Sequence, residues 1–414
     1  MKILVLGAGV IGTTSAWYLA QAGHDVTLVD RHDGAGMETS FANGGQISAS
    51  HAEPWAKPSI VPKILRWLGR EDAPLLFRPR ADLAQWIWGV RFLAECWPGR
   101  FEHNTRVLSG LAAYSRECLK ALRNRTGIRY DELSRGILHF ATSPADFEGL
   151  AHHAQTMRAL GQVREVKSAA ECIALEPALK DSRERIVGGV YTPEDESGDA
   201  HKFTVELARL AMQKGVRFQA GEISGLEIAN GEVRGVQMRD RVESADAYVV
   251  ALGSYSSPFL RKAGISIPVY PMKGYSITLP LSPVDAAAAP TVSLTDEGHK
   301  IVISRLGNRL RAAGTAELAG YDRSVNPVRC NAILRRIGEL FPGLGSINTV
   351  DRWAGLRPAT PNNVPIIGRT KIRNLFMNTG HGTLGWTLAC GSGRALADLV
   401  SGRKPDVEFR FHAG

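Results

Sequence analysis

Cysteine is scarce and scattered: Cys96, Cys118, Cys172, Cys330 and Cys390 are the only five in 414 residues, with no C-x-x-C pair. The odd, dispersed set excludes a disulfide framework and a cysteine-built zinc site, and it suits a reducing compartment. No apolar run reaches the roughly 18 residues that a membrane-spanning helix requires, so lipid contact, if made, is peripheral and the chain is expected to be cytoplasmic. No block of Lys and Arg resembles a nucleic-acid arm although the net charge is +9, so nucleic acid is not an expected partner. The dispersed basic surface suits anionic small molecules or anionic lipid instead. No internal repeat is visible. The apolar start Ile3-Leu4-Val5-Leu6 imitates a secretion signal, but Gly7, Gly9 and Gly12 interrupt it, and it reads as part of the fold.

Glycine, by contrast, is plentiful at 43 residues, as folds with tight turns and close backbone approaches need. Residues 2–30 read as strand, glycine turn, helix, strand. Gly7-Ala8-Gly9-Val10-Ile11-Gly12 is a G-x-G-x-x-G turn opening a helix, and Asp30 closes the second strand about 20 residues later. That spacing places pyrophosphate at a helix N-terminus and a carboxylate at a ribose hydroxyl. Arg31 follows and is a candidate for the adenine end. Two later features favour FAD over NAD. The strand 247–252 runs into Gly253, a second turn beside the cofactor. Near the C-terminus, Gly380, His381, Gly382, Thr383 and Leu384 lead into a small-residue helix, whose N-terminus suits the anionic pyrimidine edge of a flavin.

The fold class expected is α/β, a Rossmann-like FAD-binding domain interleaved with a β-sheet-rich α+β substrate domain. The expected division gives 1–50, 199–262 and 352–414 to the FAD domain, and 51–198 and 263–351 to the substrate domain. Helical patterns occupy 103–126, 144–160 and 202–214, and the first of these could pack on either domain. Asn230-Gly231 and Gly307-Asn308 mark turns between strands. Five of the eight tryptophans crowd into residues 51–100, where Leu83, Ile87, Val90, Ala94 and Trp97 recur at helical spacing. This reads either as a helix covering the second domain's core or as a surface that touches lipid or shapes a substrate channel.

At this point the residues resemble a known family, the bacterial D-amino acid dehydrogenases of the small-chain type, within the D-amino acid oxidase superfamily that also holds glycine and sarcosine oxidases. The resemblance runs over about 3–404. It rests on GAGVIG (7–12), ETSFANGGQIS (38–48), EPW (53–55), AYSRECLKALR (113–123), ESGDAHKFT (196–204), VALGSYS (250–256), PVYPMKGYSIT (268–278), GLRPATPNNVPIIG (355–368) and NTGHGTLGWTLACGSG (378–393). It implies noncovalent FAD and oxidative deamination of D-amino acids, D-alanine foremost. Electrons would pass to a quinone or another acceptor, with peripheral contact at the inner membrane. It further implies that Asn43, Gly44 and Gln46 run beside the flavin and that the backbone at Ile223 meets the adenine.

In the resembling superfamily the arginine of the G-x-R-P motif holds the substrate carboxylate, which makes Arg357 the leading site residue here. A guanidinium fork matches a carboxylate better than an ammonium does. His381 reads as a base or as a locally fixed histidine, and Tyr275 and Tyr270 as substrate-gripping or packing aromatics. His299 stands where close relatives carry Tyr, so it is a candidate pocket residue that alters the preferred side chain. No metal is expected. Rival expectations are an oxygen-using oxidase of glycine, sarcosine or a D-imino acid, and a flavin-carrying protein that only relays electrons within a complex.

Overall fold

A computed structural model describes residues 1–67, 69–71, 73–345 and 350–413. Two sheets organise it. The first has seven strands, in the order His412–Ala413, Ile366–Arg369, Leu375–Thr379, Ala247–Val250, Lys2–Leu6, Asp25–Asp30 and Arg217–Ala220. Its five strands from Leu375–Thr379 to Arg217–Ala220 are mutually parallel. Ile3 to Leu6 and Val26 to Val29 are buried throughout, because helices pack on one face and Val233, Val236, Phe259 and Leu260 on the other, which explains their largely apolar character. Helix α1 (Val10–Gln21) follows the glycine turn. The short hairpin Ile223–Ala229 and Glu232–Met238 turns at Asn230-Gly231, both at positive φ (54° and 74°), as that dipeptide predicts.

The second sheet has nine strands. Its main order is Asp351–Ala359, Tyr270–Pro280, Arg309–Leu318, Ile301–Leu306, Ser293–Asp296, Ile137–Ala141, Gly188–Thr192 and Glu165–Ser168, with Leu75–Phe77 joined to Arg309–Leu318. One face packs on the helix Pro327–Leu340 through Ile277, Leu310, Ile333 and Ile337. The other face looks toward the first sheet and forms the roof of a cavity.

One segment sits apart from the division expected from sequence, and the long helix takes one of the two placements open to it. Asp351–Ala359 pairs with Tyr270–Pro280 from Tyr270↔Ala359 through Thr278↔Asp351 and so is an edge strand of the nine-stranded sheet. The long helix Pro98–Thr126 buries Leu108, Leu111, Leu119 and Leu122 in the same core as Ile3, Val5 and Leu388, on the side of the seven-stranded sheet. Backbone pairing and an amphipathic face settle both placements, and neither has a local marker in the sequence.

The tryptophan-rich segment forms α2 (Ile60–Trp67) and α3 (Leu83–Glu95). Helix α3 does not cover a core with the stripe the spacing suggested. Its inward residues are Gln85, Trp88 and Phe92, whereas Leu83 (74 % exposed), Val90 (68 %) and Trp97 (74 %), with Ile87 and Leu93, face outward. No helix among the described residues is long and apolar enough to cross a membrane.

Candidate active site

A cavity of about 980 Å³ lies between the two sheets, at the upper end of the range for ligand pockets and long enough to touch both sheets. At one end, Gly7 sits at φ +104°, where an added β-carbon would strike the Ala251 carbonyl oxygen at 2.5 Å. A β-carbon on Gly12 would lie 1.7 Å from the Gly7 carbonyl oxygen. Gly9 meets nothing nearer than the Ser40 hydroxyl at 3.7 Å, so its backbone stands open to the cavity. Gly7 and Gly12 thus shape the turn, and Gly9 leaves room for a ligand against the start of α1.

Asp30 fastens this turn: Oδ2 accepts from the Ala8 N–H at 2.7 Å and Oδ1 from the His32 N–H at 3.0 Å. It also borders the cavity, with Arg31 and the backbone segment Gly221 to Ser224 that includes Ile223. Arg31 pairs with Glu38 and stacks over Tyr255 at 4.6 Å. Asn43, Gly44 and Gln46 continue the lining; Gln46 anchors its amide to the Ser293 hydroxyl and the Leu294 carbonyl. Gly253, Gly382, Thr383 and Leu384 complete it below the helix Gly385–Val400, whose N-terminus has no side-chain cap. Ala8, Gly12 and Gly380 stand behind the wall and shape its turns. The open Gly9 backbone, the uncapped helix start and the cavity's reach fit a flavin dinucleotide.

Arg357 enters from the edge strand. Its Nη1 donates to the Thr315 carbonyl at 2.8 Å, and Thr315 itself sits at a positive φ of 58°. No carboxylate lies within ion-pairing distance of Arg357 among the described residues, and its other donors remain open to the cavity. The residue is half-buried at the cavity wall, and desolvation pushes the guanidinium down to about 10, with Arg329 adding to the shift. It stays cationic at neutral pH and lacks a counter-ion, the condition of a site awaiting an anion.

The other candidates are placed as follows. His381 is buried and borders the cavity; burial takes its imidazole down to about 3, so the ring is neutral. Ser392 gives its hydroxyl hydrogen to Leu388, so His381 Nε2–H is the donor in the 3.0 Å contact with Ser392. Tyr275 borders the cavity and donates its hydroxyl to Glu317. Tyr270 donates to Asp82 at 2.9 Å. His299 does not reach the cavity: it is exposed, with Nδ1 3.2 Å from Asp296, while the adjacent Lys300 borders the cavity.

Several bordering residues had no signal of their own in the sequence. Ser40 accepts from the Val10 N–H at 3.1 Å and fixes the helix start. Gly274, Met272 and Trp353 surround Arg357 only because of strand register. His51, Glu53 and His153 bring potential ligand atoms within 4.8 Å of one another. Arg164 can only donate to His153 Nδ1, at 2.7 Å, so the ring's proton lies on Nε2 and is directed at Glu53. That leaves His153 no lone pair for a metal, and Lys57 supplies the nearby positive charge at 3.3 Å from Glu53.

The family model described as FAD dependent oxidoreductase matches residues 2–399. The chain is 56 % identical to the D-amino acid dehydrogenase of Dechloromonas aromatica, covering 99 % of each chain. It is also 56 % identical to that of Paramagnetospirillum magneticum, covering 99 % of this chain and 97 % of the relative. Among solved structures, glycine oxidase from Geobacillus kaustophilus superposes with a TM-score of 0.77 at 23 % identity, covering 100 % of this chain and 99 % of that one. That likeness shows the shared fold.

Proposed function

The chain belongs to the FAD dependent oxidoreductase family and, within it, to the D-amino acid dehydrogenases; from that premise we propose that Arg357 holds the carboxylate of a D-amino acid for oxidation at Cα to the 2-oxo acid and ammonium. The carrying observation is the unpaired, half-buried guanidinium of Arg357 in the cavity that also holds the glycine turn. FAD, bound noncovalently, supplies the hydride acceptor when present. Gly7, Gly9, Val10, Ile11, Asp30, Asn43, Gly44, Gln46, Ile223, Gly253 and Gly382 to Leu384 are the residues to hold it.

The protein's own share is binding and orientation. Thr315 fixes one arm of the Arg357 fork, and the remaining arm and Nε–H meet the carboxylate. A pinned carboxylate leaves the neighbouring Cα little rotational freedom, which is where most of the rate advantage arises. Neither His381 nor Tyr275 serves as a base: burial takes the imidazole down to about 3, too weak to hold a proton at neutral pH, and the hydroxyl is committed to Glu317. The site therefore takes the substrate with its amine already neutral, and water hydrolyses the resulting imine.

We assign the acceptor as a membrane quinone. The cavity reaches beneath α2 and α3 to Ile64, Trp67, Trp86, Val90 and Leu93, and α3 turns an apolar face outward beside exposed Arg66 and Arg91. Such a face suits the boundary of an anionic bilayer, and it opens on the cavity that an apolar acceptor must enter. The five buried free thiols suit the cytoplasmic side. Anaerobic mixing of the yellow protein with D-amino acids should bleach the flavin, L-enantiomers should not, and a short-chain quinone should restore the colour. Failure of every D-amino acid to bleach it would end this reading; stoichiometric hydrogen peroxide in air would replace the quinone with oxygen.

A further inference from the structure

The strands that carry Arg357 also decide what lies beside it. Met272 and Arg357 are directly opposed in the antiparallel ladder, so their side chains leave the same face as neighbours. Met272 is one of a group of apolar side chains beneath α2 and α3 that includes Leu318, Phe77, Ile64 and Trp88. All five border the cavity. Met272 and Leu318 are 3 % and 5 % exposed, and the Trp88 indole N–H is committed to the Ala359 carbonyl at 2.8 Å, so only its carbon surface is on offer. Two charges of the same strands are engaged elsewhere: Lys273 Nζ contacts Asp322 at 2.8 Å, and Glu317 receives the Tyr275 hydroxyl.

From this arrangement we infer that the wall of Met272, Leu318, Phe77, Ile64 and Trp88 is the subsite for the substrate side chain, and that it selects D-amino acids with large apolar side chains. The inference rests on the carboxylate being held by Arg357. With that group pinned, Cα lies one bond away and its substituent falls against Met272. A methyl group reaches little of this apolar wall, whereas a leucine-, methionine- or phenylalanine-type side chain packs along it. Each buried methylene favours binding by roughly fourfold, so such substrates exceed D-alanine by about 10- to 100-fold in kcat/KM. A charged side chain finds no partner on this wall and falls below D-alanine.

Anaerobic rapid mixing of the flavin-loaded protein tests this with D-alanine, D-leucine, D-methionine, D-phenylalanine, D-glutamate and D-lysine. The expected result is D-leucine, D-methionine and D-phenylalanine well above D-alanine, with both charged substrates lowest. Met272→Ser should shrink the D-leucine to D-alanine ratio about tenfold, because the wall loses its apolar contact nearest Arg357. D-alanine equal to or better than the large substrates overturns the subsite while leaving the dehydrogenase reading intact. An unchanged ratio in Met272→Ser also overturns it. If that variant does not fold, the ranking in the unaltered protein decides alone. No reaction with any D-amino acid would instead remove the underlying reading.

Discussion

The Arg357 guanidinium lies across Gly274, its Cζ 2.3 Å from the point where a β-carbon on Gly274 would stand. One step along the ladder Gly274 faces Gly355, and the Trp353 indole lies over that second glycine, 1.8 Å from its would-be β-carbon. The paired glycines form a floor on which the cation and the indole rest. Gly274→Ala should therefore push the guanidinium out of place. A displacement of about 1 Å lowers kcat/KM for every amino acid by roughly 100-fold while flavin content and helicity stay unchanged. Steady-state kinetics beside a flavin absorbance ratio read both quantities, and normal kinetics would show that the contact is not constraining.

Removal of the cation itself should cost more. Arg357→Ala is expected to lose about 3–5 kcal/mol of transition-state stabilisation, since the substrate carboxylate would enter a buried site with no partner. Arg357→Lys should recover only part, because an ammonium cannot reproduce the fork held by Thr315. The measurement is kcat/KM with one D-amino acid across the three proteins.

The pH profile of the reaction should carry no histidine step. Burial holds His381 to about 3, so it is neutral from about pH 5 upward. The profile of kcat/KM should instead rise with deprotonation of the substrate ammonium. His381→Asn should keep the same shape. An acidic limb near the ordinary histidine value of about 6.5 that disappears in that variant would place His381 among the titrating groups.

Stability, unlike catalysis, should respond to acid. His51, His139 and His381 are all held below the ordinary histidine value, chiefly by burial. The unfolded chain binds more protons than the folded one as pH falls below about 6.5, so this stability is complete above that value and lost below it. Burial alone would raise Glu53, but Lys57 and His153 hold it well below the usual carboxylate range, so it too loses stability on acidification. Asp195, raised to about 6 by burial, works in the opposite sense between about pH 4 and 6, one group against the three histidines, since Glu53 gives up its share only below about pH 4.5. Thermal midpoints should be level from about pH 7 to 8 and fall steadily by about pH 5; a midpoint rising over that interval would contradict the assignment.

The outward face of α3 gives a binding prediction. Val90→Glu places a charge in the centre of the patch formed by Leu83, Trp86, Ile87 and Leu93. Sedimentation with anionic vesicles should drop severalfold, and turnover with a membrane-embedded quinone should drop with it. Bleaching by D-amino acids should remain, because that half of the reaction needs no bilayer. Equal sedimentation of both proteins would remove α3 as the contact.

The glycine turn and Asp30 were legible because their requirements are local. A turn at φ +104°, a close carbonyl and a following helix are all met within the first strand–helix–strand unit. The hairpin at Asn230-Gly231 was legible for the same reason. Arg357 could be singled out through the motif around it, but not its setting. The floor of Gly274 and Gly355, the placement of Met272 and the carbonyl of Thr315 depend on three strands far apart along the chain. A one-residue slip of register would turn each of them to the opposite face.

Helix α3 shows the limit most plainly. Its spacing announced an amphipathic helix, and the helix is there, yet periodicity cannot state which side the rest of the protein covers. Packing put Trp88 and Phe92 inward and left Leu83, Val90 and Trp97 outside. His299 failed as a pocket residue for a related reason: its neighbour Lys300, at a positive φ of 54°, turns into the cavity while His299 faces Asp296 and solvent. Sequence alone determined the cofactor turn, the presence of the arginine and the class of fold, because short-range sterics and hydrogen bonding specify them. The tertiary structure decided what surrounds the arginine and which apolar face stays bare, because those follow from long-range strand pairing and burial.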